Sequence, residues 1–373
     1  MTHQNKTHQP GTGRREEKPR FTAPHSDSVC AILRQKHRAM GIMPAQSLMM
    51  LVEGNKEHVA ILKSLNITPI ERHQKIMNGE ADYLLIACSD ARVLRMDSEG
   101  DELVGMQIRV AGNVIPTSGP SFDEIKQAAG RVKKDGVIII QAHSHCGAVK
   151  EKVKWDGVGR WDTGSDPLNA LLTEISGDTP QENALGQLVK AKQEFEVHTG
   201  TMLYNWDETT EAVRILHNGV SAIIEILCSK WNLTHLRANE DGRLSEKLAV
   251  QKPHAIVVGS NDLPYSVATI TRAEQNDVFC TTGSEGGLDD FDEASVLYAV
   301  EHLGVRHISF IAPGHITDDQ KLNQLFDKWE QDLRSMTVGG EPKIANMIDS
   351  KELAISNLRY DLSTGCLTPL QLK

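Results

Sequence analysis

The sequence lacks the features that mark several common classes of protein. No stretch of its 373 residues reaches the roughly 18 consecutive apolar residues of a membrane span. Positive charge is in deficit, because the net charge is −10, and an acidic chain has no general attraction for nucleic acid or anionic lipid. The N-terminal segment contains no apolar core, so we expect no secretory signal and a cytoplasmic protein.

Cysteine is also scarce, with six in the whole chain, and in the absence of a secretory signal we expect no disulfides. Four of the six are expected to be small buried hydrophobic residues: Cys30, Cys228, Cys280 and Cys366. Cys88 and Cys146 differ, because each follows an apolar run and has Asp, Arg or His beside it. These two cysteines are therefore candidate functional residues.

The chain contains an alternation of helix-like and strand-like segments. Apolar residues at three- and four-residue steps from Gln46 predict a helix, as do FDEIKQAAGRVKK (122–134) and the region 181–196. ADYLLIAC (81–88) and DGVIIIQAH (135–143) are short apolar runs typical of buried strands, and EVHTGTMLY (196–204) is predicted as an edge strand. The alternation favours an α/β fold with a parallel sheet, and 373 residues suit two domains.

The order of these segments repeats about 170 residues later. KPHAIVVGSND resembles GEADYLLIACSD, and FDEASVLYAVEHLGVRHISFIAPGH resembles FDEIKQAAGRVKKDGVIIIQAH. We predict a disordered tail and N-terminal arm over 1–44, a first α/β unit over 45–216 and a second over 217–373. WDGVGRWDTGSDPLN (155–169), which is rich in glycine and proline, is predicted as an insertion in the first unit.

Polar side chains gather where two predicted strands of the first unit end. Cys88 ends one strand, and His143 and Cys146 follow the other; the carboxyl ends of parallel strands are the usual place for an active site. Two thiolates and an imidazole suit zinc, and three protein ligands leave a fourth position for water. The sequence predicts a catalytic zinc site, and the alternative is two ordinary buried thiols and a buried histidine.

Asp90 and Arg92 lie on the turn after Cys88, where a carboxylate and a guanidinium can pair through two hydrogen bonds. In the simpler interpretation this ion pair only stabilises the loop. In the functional interpretation Asp90 accepts the proton of a zinc-bound water, and Arg92 holds Asp90 in place and ionised. A third interpretation makes Asp90 a fourth zinc ligand that expels the water. The sequence leaves these alternatives open.

The motif CSDAR (88–92), followed by HSHCGA (143–148), resembles the zinc signature of the β-class carbonic anhydrases. LVEGNKEHV (51–59) and RVAGNVIP (109–116) resemble two further motifs of that family, and the resemblance covers about 45–370. Two departures stand out. Ala142 replaces the usual glycine before the histidine, and RVAGN replaces the more usual Arg-Asn-Ala-Gly-Asn.

This resemblance implies a zinc enzyme that reversibly hydrates carbon dioxide to bicarbonate and a proton by zinc-bound hydroxide. Dimers are the family's working unit, so a tandem copy implies an intramolecular pseudo-dimer, and such chains are expected to form homo-oligomers. The second copy is degenerate: Gly259 falls at the position of Cys88 and Asp318 at that of Cys146, and His315 has no thiolate partner. We expect this copy to bind no catalytic zinc and to wall the pocket of the first.

Two other functions stay open. The same scaffold could hydrolyse carbonyl sulfide or carbon disulfide, which are linear molecules of similar shape. The chain could also be a non-catalytic scaffold or a bicarbonate sensor. His145 is a candidate proton shuttle, although a histidine on an exposed loop is more often incidental.

Overall fold

Two five-stranded sheets with the same strand order form the centre of the molecule in the computed structural model. The structure describes residues 42–93, 95–158, 163–219, 221–284, 286–312, 315–316 and 318–372. Almost all of the predicted tail and N-terminal arm therefore lies outside the described residues. None of the helices in the described part of the chain is both long and apolar enough to cross a membrane.

The helices and strands of the first half follow in chain order. They are α1 (Pro44–Leu65), α2 (Pro69–Met77), β1 (Ala81–Ala87), β2 (Gly105–Arg109), a 3-10 turn (Ala111–Asn113), α3 (Pro120–Ala129), β3 (Val132–His143), α4 (Gly147–Val158), α5 (Asp166–Glu174), α6 (Pro180–Glu194), β4 (His198–Tyr204) and β5 (Val213–His217).

The second half continues with the same alternation. It contains α7 (Ala222–Ala238), α8 (Leu244–Leu248), β6 (Ala255–Ser260), α9 (Val267–Ile270), β7 (Val278–Gly283), α10 (Asp290–His302), β8 (His307–Ala312), α11 (Asp319–Ser335), α12 (Lys343–Asp349), β9 (Ala354–Tyr360) and β10 (Leu367–Leu372).

Strand pairing is identical in the two sheets. In the first, β1 lies between β2 and β3 and β4 follows β3, all parallel, while β5 pairs antiparallel with β4. In the second, β6 lies between β7 and β8, β9 follows in parallel, and β10 is antiparallel. The predicted α/β class and its two copies are therefore confirmed. The segment EVHTGTMLY is not an edge strand, because β5 pairs with the outer side of β4.

The first helix of each half packs on the sheet of the other half. Leu51 and Leu62 of α1 belong to the core cluster built on β6 and β7. Leu227 and Trp231 of α7 belong to the cluster built on β1 and β3. The halves thus exchange helices and form an intramolecular pseudo-dimer. The predicted limit between the units, at residues 216 and 217, refers to the sequence repeat and remains a prediction. In space, each unit packs a helix on the sheet of the other.

The segment EGN in α1 fits this exchange. Gly54 lies against the carbonyl group of Thr271, and a side chain at position 54 would collide with that backbone. The amide of Asn55 donates hydrogen bonds to the carbonyl oxygens of Ile270 at 3.1 Å and Gly365 at 2.9 Å. A glycine for close approach and a buried asparagine that satisfies loop carbonyls therefore dock α1 on the second half.

The predicted insertion joins two helices in a connection that has one helix more than its counterpart in the second half. Residues 159–162 of this stretch lie outside the described residues, and the stretch otherwise covers the end of α4 and the start of α5. Among the described residues, three helices join β3 to β4, whereas two join β8 to β9. Helix α5 begins at the N-cap Ser165, whose hydroxyl accepts from the Leu168 N–H, and it packs against α10 of the second half.

Candidate metal centre

The two central strands of the first sheet bring the three predicted ligands together. Cys88 directly follows β1, His143 is the last residue of the neighbouring strand β3, and Cys146 precedes α4. Their donor atoms all lie within 4.8 Å of one another, and each residue is buried. Parallel pairing places both strand ends at one edge of the sheet, which is why residues so far apart in sequence meet.

The orientation of these side chains fits a metal ion. The Nδ1 atom of His143 donates to the backbone oxygen of Ser144 at 2.8 Å, so Nε2 faces the thiols. This Nε2 is buried and has no hydrogen-bond partner among the described residues. The N–H of Gly112 donates to Cys88 Sγ at 3.2 Å. An orphaned buried nitrogen beside two sulfurs is the arrangement that a zinc ion would satisfy.

The RVAGN segment contributes Gly112 to this arrangement. Gly112 has φ of 71°, a left-handed conformation that favours glycine, and a Cβ there would lie 3.3 Å from Ala148 and Ile175. The close approach of this backbone to the sulfur explains the glycine of that motif. Arg109, at its start, donates to the carbonyl oxygen of Cys88 at 2.8 Å and thereby supports the same loop.

Asp90 is clamped by Arg92 beside the metal ligands. Arg92 Nε donates to Asp90 Oδ1 at 3.0 Å and Nη2 donates to Oδ2 at 2.6 Å, while the Arg92 backbone N–H donates to Oδ1 at 2.9 Å. Asp90 Oδ2 lies 3.9 Å from His143 Nε2. The predicted pair therefore exists in its bidentate form and is buried next to the proposed metal position.

The charges of the site favour a bound cation. Burial would raise the pKa of Asp90, but the His143 charge and the Arg92 hydrogen bonds hold it below its usual value. Burial, reinforced by Cys146, raises the pKa of the Cys88 thiol, whereas the hydrogen bond from Cys88 lowers the pKa of Cys146. The opposed shifts make Cys146 the more acidic of the two thiols, and a divalent ion would stabilise both as thiolates.

Trp206, which sequence reasoning missed, supports both the histidine and the arginine. Its ring stacks on that of His143 with centroids 5.5 Å apart, and the Arg92 guanidinium lies 4.8 Å from its centroid. Trp206 follows β4, next to the strand that ends in His143, and its position after a predicted strand was the only signal in the sequence. His145, by contrast, is half exposed and donates to Asp207 at 2.5 Å. Its role as a shuttle stays a prediction.

The second half supplies part of the wall of this site. Phe279, Tyr298 and Gln251 line the same cleft as Cys88 and Asp90. The Tyr298 hydroxyl lies so close to Gly147 that position 147 has no room for a side chain. Burial, together with the nearby Asp90 and thiols, raises the pKa of Tyr298 to about 12, so it is a neutral phenol. The expectation that the second copy walls the pocket is therefore met by residues that sequence reasoning did not name.

Among the described residues, the second half has no counterpart of the two candidate thiol ligands. Tyr83 and Leu85 of β1 face the exchanged helix of their sheet, as Ala255 and Val257 of β6 do in theirs. This alternation aligns Ser260 with Cys88, so the predicted counterpart, Gly259, was one residue off. Asp318, predicted at the position of Cys146, accepts the Gln320 N–H at 2.8 Å as the N-cap of α11.

Comparison with known proteins finds a likeness in one part of the chain. Residues 83–223 match the family model described as carbonic anhydrase. No curated protein sequence matches the chain.

Three solved structures have a partial likeness to the chain. A tetrameric β-carbonic anhydrase from the filamentous ascomycete Sordaria macrospora is 18% identical, with 40% of this chain and 98% of that chain covered and a TM-score of 0.31. The Coccomyxa β-carbonic anhydrase in complex with acetazolamide is 15% identical, with 41% of this chain and 87% of that chain covered and a TM-score of 0.30. The β-carbonic anhydrase CafA of Aspergillus fumigatus is 21% identical, with 40% of this chain and 90% of that chain covered and a TM-score of 0.29.

Proposed function

We propose that the chain, whose residues 83–223 match the carbonic anhydrase family model, is a zinc enzyme that reversibly hydrates carbon dioxide to bicarbonate and a proton. One observation carries the proposal: the buried group Cys88, His143 and Cys146 lies beside a carboxylate, Asp90, that Arg92 clamps on both oxygens. This arrangement combines three ligands for a metal with a fixed hydrogen-bond acceptor next to them.

Cys88 Sγ, His143 Nε2 and Cys146 Sγ would hold the zinc. When bound, zinc supplies the Lewis acidity that makes water a nucleophile near neutral pH, as in carbonic anhydrases with three histidine ligands. Two thiolates donate more charge than imidazoles and weaken that acidity, so the groups around the metal have a larger part in the reaction. Asp90 is the nearest of them, at 3.9 Å between its Oδ2 and His143 Nε2.

Asp90 is proposed to accept a hydrogen bond from the reacting water, which orients a lone pair of the water oxygen toward the substrate. The lowered pKa keeps Asp90 ionised, and therefore an acceptor, at neutral pH. Arg92 keeps both carboxylate oxygens in place and is held by the carbonyl oxygen of His145 at 3.1 Å. Because both Asp90 oxygens accept from Arg92, the contacts support a position beside the metal and not a fourth ligand at rest.

The cleft suits a small apolar substrate. Leu168 and Leu171 of the first half and Phe279 of the second line it, and these side chains exclude bulk water from the reacting position. A linear molecule without hydrogen-bond donors needs no more specific recognition than this. Besides Asp90, the cleft is lined by the Glu151 carboxyl group and the Tyr298 phenol, and the proton released would leave by way of ordered water or a surface group.

The test is stopped-flow carbon dioxide hydration by the zinc-loaded protein between about pH 6.5 and 9. We expect turnover in the wild type and its loss, together with loss of zinc, in Cys146→Ser. The matched control is Cys366→Ser, at a half-buried cysteine in the second half, which should keep both zinc and turnover.

Two outcomes would contradict the proposal. Zinc-loaded wild type without carbon dioxide turnover, but with activity on carbonyl sulfide or carbon disulfide, would make it a hydrolase of the sulfur gases. Loss of all three activities with zinc bound would favour the bicarbonate sensor. The assembly of chains into homo-oligomers and the cytoplasmic location also stay predictions, and analytical ultracentrifugation checks the first.

A further inference from the structure

A second cluster of metal-binding side chains lies at the corresponding edge of the second sheet. His73, Asp262 and His315 place one donor atom each within 4.8 Å of one another. Asp262 follows β6 as Asp90 follows β1, and His315 follows β8 as His143 ends β3. The cluster therefore occupies the place that the first half gives to its metal centre, with nitrogen and oxygen donors and no thiol.

The third member comes from the other half of the molecule. His73 lies on α2, which precedes β1, and Arg72 beside it donates to the carbonyl oxygen of Pro264 at 2.6 Å. The first site has the mirrored arrangement, because α8 of the second half offers the Leu248 carbonyl oxygen to Arg92 at 3.5 Å. Each centre is thus completed by the short helix that precedes the first strand of the other sheet. At the second centre this helix also contributes a possible metal ligand, His73.

The buried atoms of this cluster are not satisfied by the protein. His73 and Asp262 are 6% and 2% exposed, and His73 Nε2 and Asp262 Oδ1 have no hydrogen-bond partner among the described residues. His73 Nε2 lies 3.8 Å from Asp262 Oδ2, and His315 Nδ1 donates to the same oxygen. An ion at about 2.0–2.2 Å from all three donors would take the place of the hydrogen bond between His315 and Asp262.

The surrounding charge also favours a cation. Burial, followed by the nearby Asp289 and Asp262 carboxylates, raises the pKa of Glu124 to about 8. The Asp289 and Asp262 carboxylates thus add to the effect of burial on Glu124, and a divalent ion bound by Asp262 would oppose their contribution. His315 keeps 41% of its side chain exposed, so the ion has a path from solvent.

We propose that His73, Asp262 and His315 form a second metal site, which binds a divalent transition metal such as zinc across the two halves of the chain. Two imidazoles and one carboxylate are a recognised donor set for zinc and for other first-row divalent ions, and they leave coordination positions open. The site differs in donors from the thiolate centre, whose absence from the second copy the sequence predicted. It is independent of the function proposed for the first site.

Metal stoichiometry tests this inference on the full-length protein, stripped by a chelator, reloaded with Zn²⁺ and freed of excess metal. We expect two zinc ions per chain in the wild type, one in His315→Ala, one in Cys146→Ser and none in the double variant. His198→Ala, at an exposed histidine on β4, is the matched control and should keep two. Asp262→Asn should behave as His315→Ala does.

Cobalt distinguishes the two centres. With Co²⁺, only the thiolate centre gives intense sulfur-to-metal absorption, so His315→Ala should retain it and lose only the weak bands of the nitrogen and oxygen site. His315→Ala should also keep carbon dioxide turnover, which separates this inference from the function proposed for the first site. Equal zinc content in the wild type and in His315→Ala would overturn the inference and leave the cluster as a hydrogen-bonded triad.

Discussion

At the scale of single residues, the state of Asp90 depends on opposing effects. Burial favours the neutral carboxylic acid. A protonated His143 in the metal-free site and the Arg92 guanidinium favour the carboxylate, which prevails. Arg92 is itself buried, stacked near Trp206 and bonded to two backbone carbonyl oxygens. Removing either partner of the ion pair would leave the other as a buried charge without its counter-charge.

Replacing Asp90 should therefore separate chemistry from metal binding. Asp90→Asn removes the charge and one acceptor but keeps the shape, and we expect turnover to fall roughly 10²- to 10³-fold with zinc content unchanged. Arg92→Ala should lower turnover similarly, because Asp90 loses its orientation. Stopped-flow kinetics and metal analysis on the same samples measure both effects.

Asp349→Asn, in which an exposed carboxylate loses its ion pair with Arg334 in the second half, is the control for a change of charge alone. Unchanged turnover in Asp90→Asn and Arg92→Ala would contradict the role given to this pair. Loss of zinc in Asp90→Asn would instead indicate that Asp90 is a metal ligand.

The residues of the proposed active site could be predicted from the sequence because they lie at the ends of strands. Cys88, Asp90, Arg92, His143 and Cys146 follow apolar runs whose parallel pairing forces them together. Phe279 and Tyr298 could not be found in this way, since aromatic residues on strands and helices are ordinary core residues until the tertiary arrangement is known. Trp206 does follow a predicted strand, but its indole is not a side chain that by itself marks a metal site. The His73 contribution was hidden for the same reason, because it crosses between the halves.

At the scale of elements, the exchanged helix α1 is fixed by a buried polar network. The Ser47 hydroxyl lies 2.8 Å from His254 Nδ1 and 2.7 Å from His307 Nδ1, and it donates to the His254 carbonyl oxygen at 3.1 Å. Burial, with the nearby His254, lowers the pKa of His307 to about 3, so this imidazole stays neutral. Neutral imidazoles can accept as well as donate, which suits a network around one hydroxyl.

Ser47→Ala should loosen this helix. Removing the hydroxyl takes one hydrogen-bond partner from each of these buried groups, and we expect the free energy of unfolding to fall by about 1–3 kcal/mol. Urea unfolding monitored by circular dichroism measures the loss. Ser64→Ala, at an exposed serine in the last turn of the same helix, is the control and should have a much smaller effect. Equal losses in the two variants would contradict the importance of this network.

Elements were predictable where their signal was local. The helices at 46 and 181–196 and the strands around Ile86 and Ile140 follow from periodicity and apolar runs, and the structure contains them. The strand β2 was missed because GMQIR is short and polar in the middle, and β5 because its five residues follow a polar stretch. The exchange of α1 and α7 could not be predicted, since an apolar helix face fits either sheet.

At the scale of the whole molecule, each half places a carboxylate on a serine of the other. Asp289 accepts from the Ser121 N–H and hydroxyl, both at 2.6 Å, and Asp97 accepts from the Ser266 N–H at 2.7 Å and its hydroxyl at 2.6 Å. With the exchanged helices, these contacts join the halves into one cooperative structure. They also bring negative charge into the junction, where Glu124 of α3 is buried.

Glu124 makes the stability of this junction depend on pH in a defined direction. Its pKa rises from 4.5 to about 8 on folding, chiefly through burial and then through Asp289 and Asp262. The folded state therefore keeps a proton that the unfolded chain releases above about pH 4.5. The stability contributed by Glu124 is complete below that pH and is lost as pH rises through about 8, by an amount on the order of a few kcal/mol.

Comparing the wild type with Glu124→Gln isolates this contribution. Glutamine stays neutral at every pH, so its stability relative to the wild type should increase between about pH 5 and pH 8, in urea unfolding of the chelator-treated proteins. Glu71→Gln, on the exposed side of α2, controls for a general loss of negative charge. A difference between wild type and Glu124→Gln that does not change with pH would show that Glu124 ionises freely in the folded protein. The junction would then be more open to water than its packing indicates.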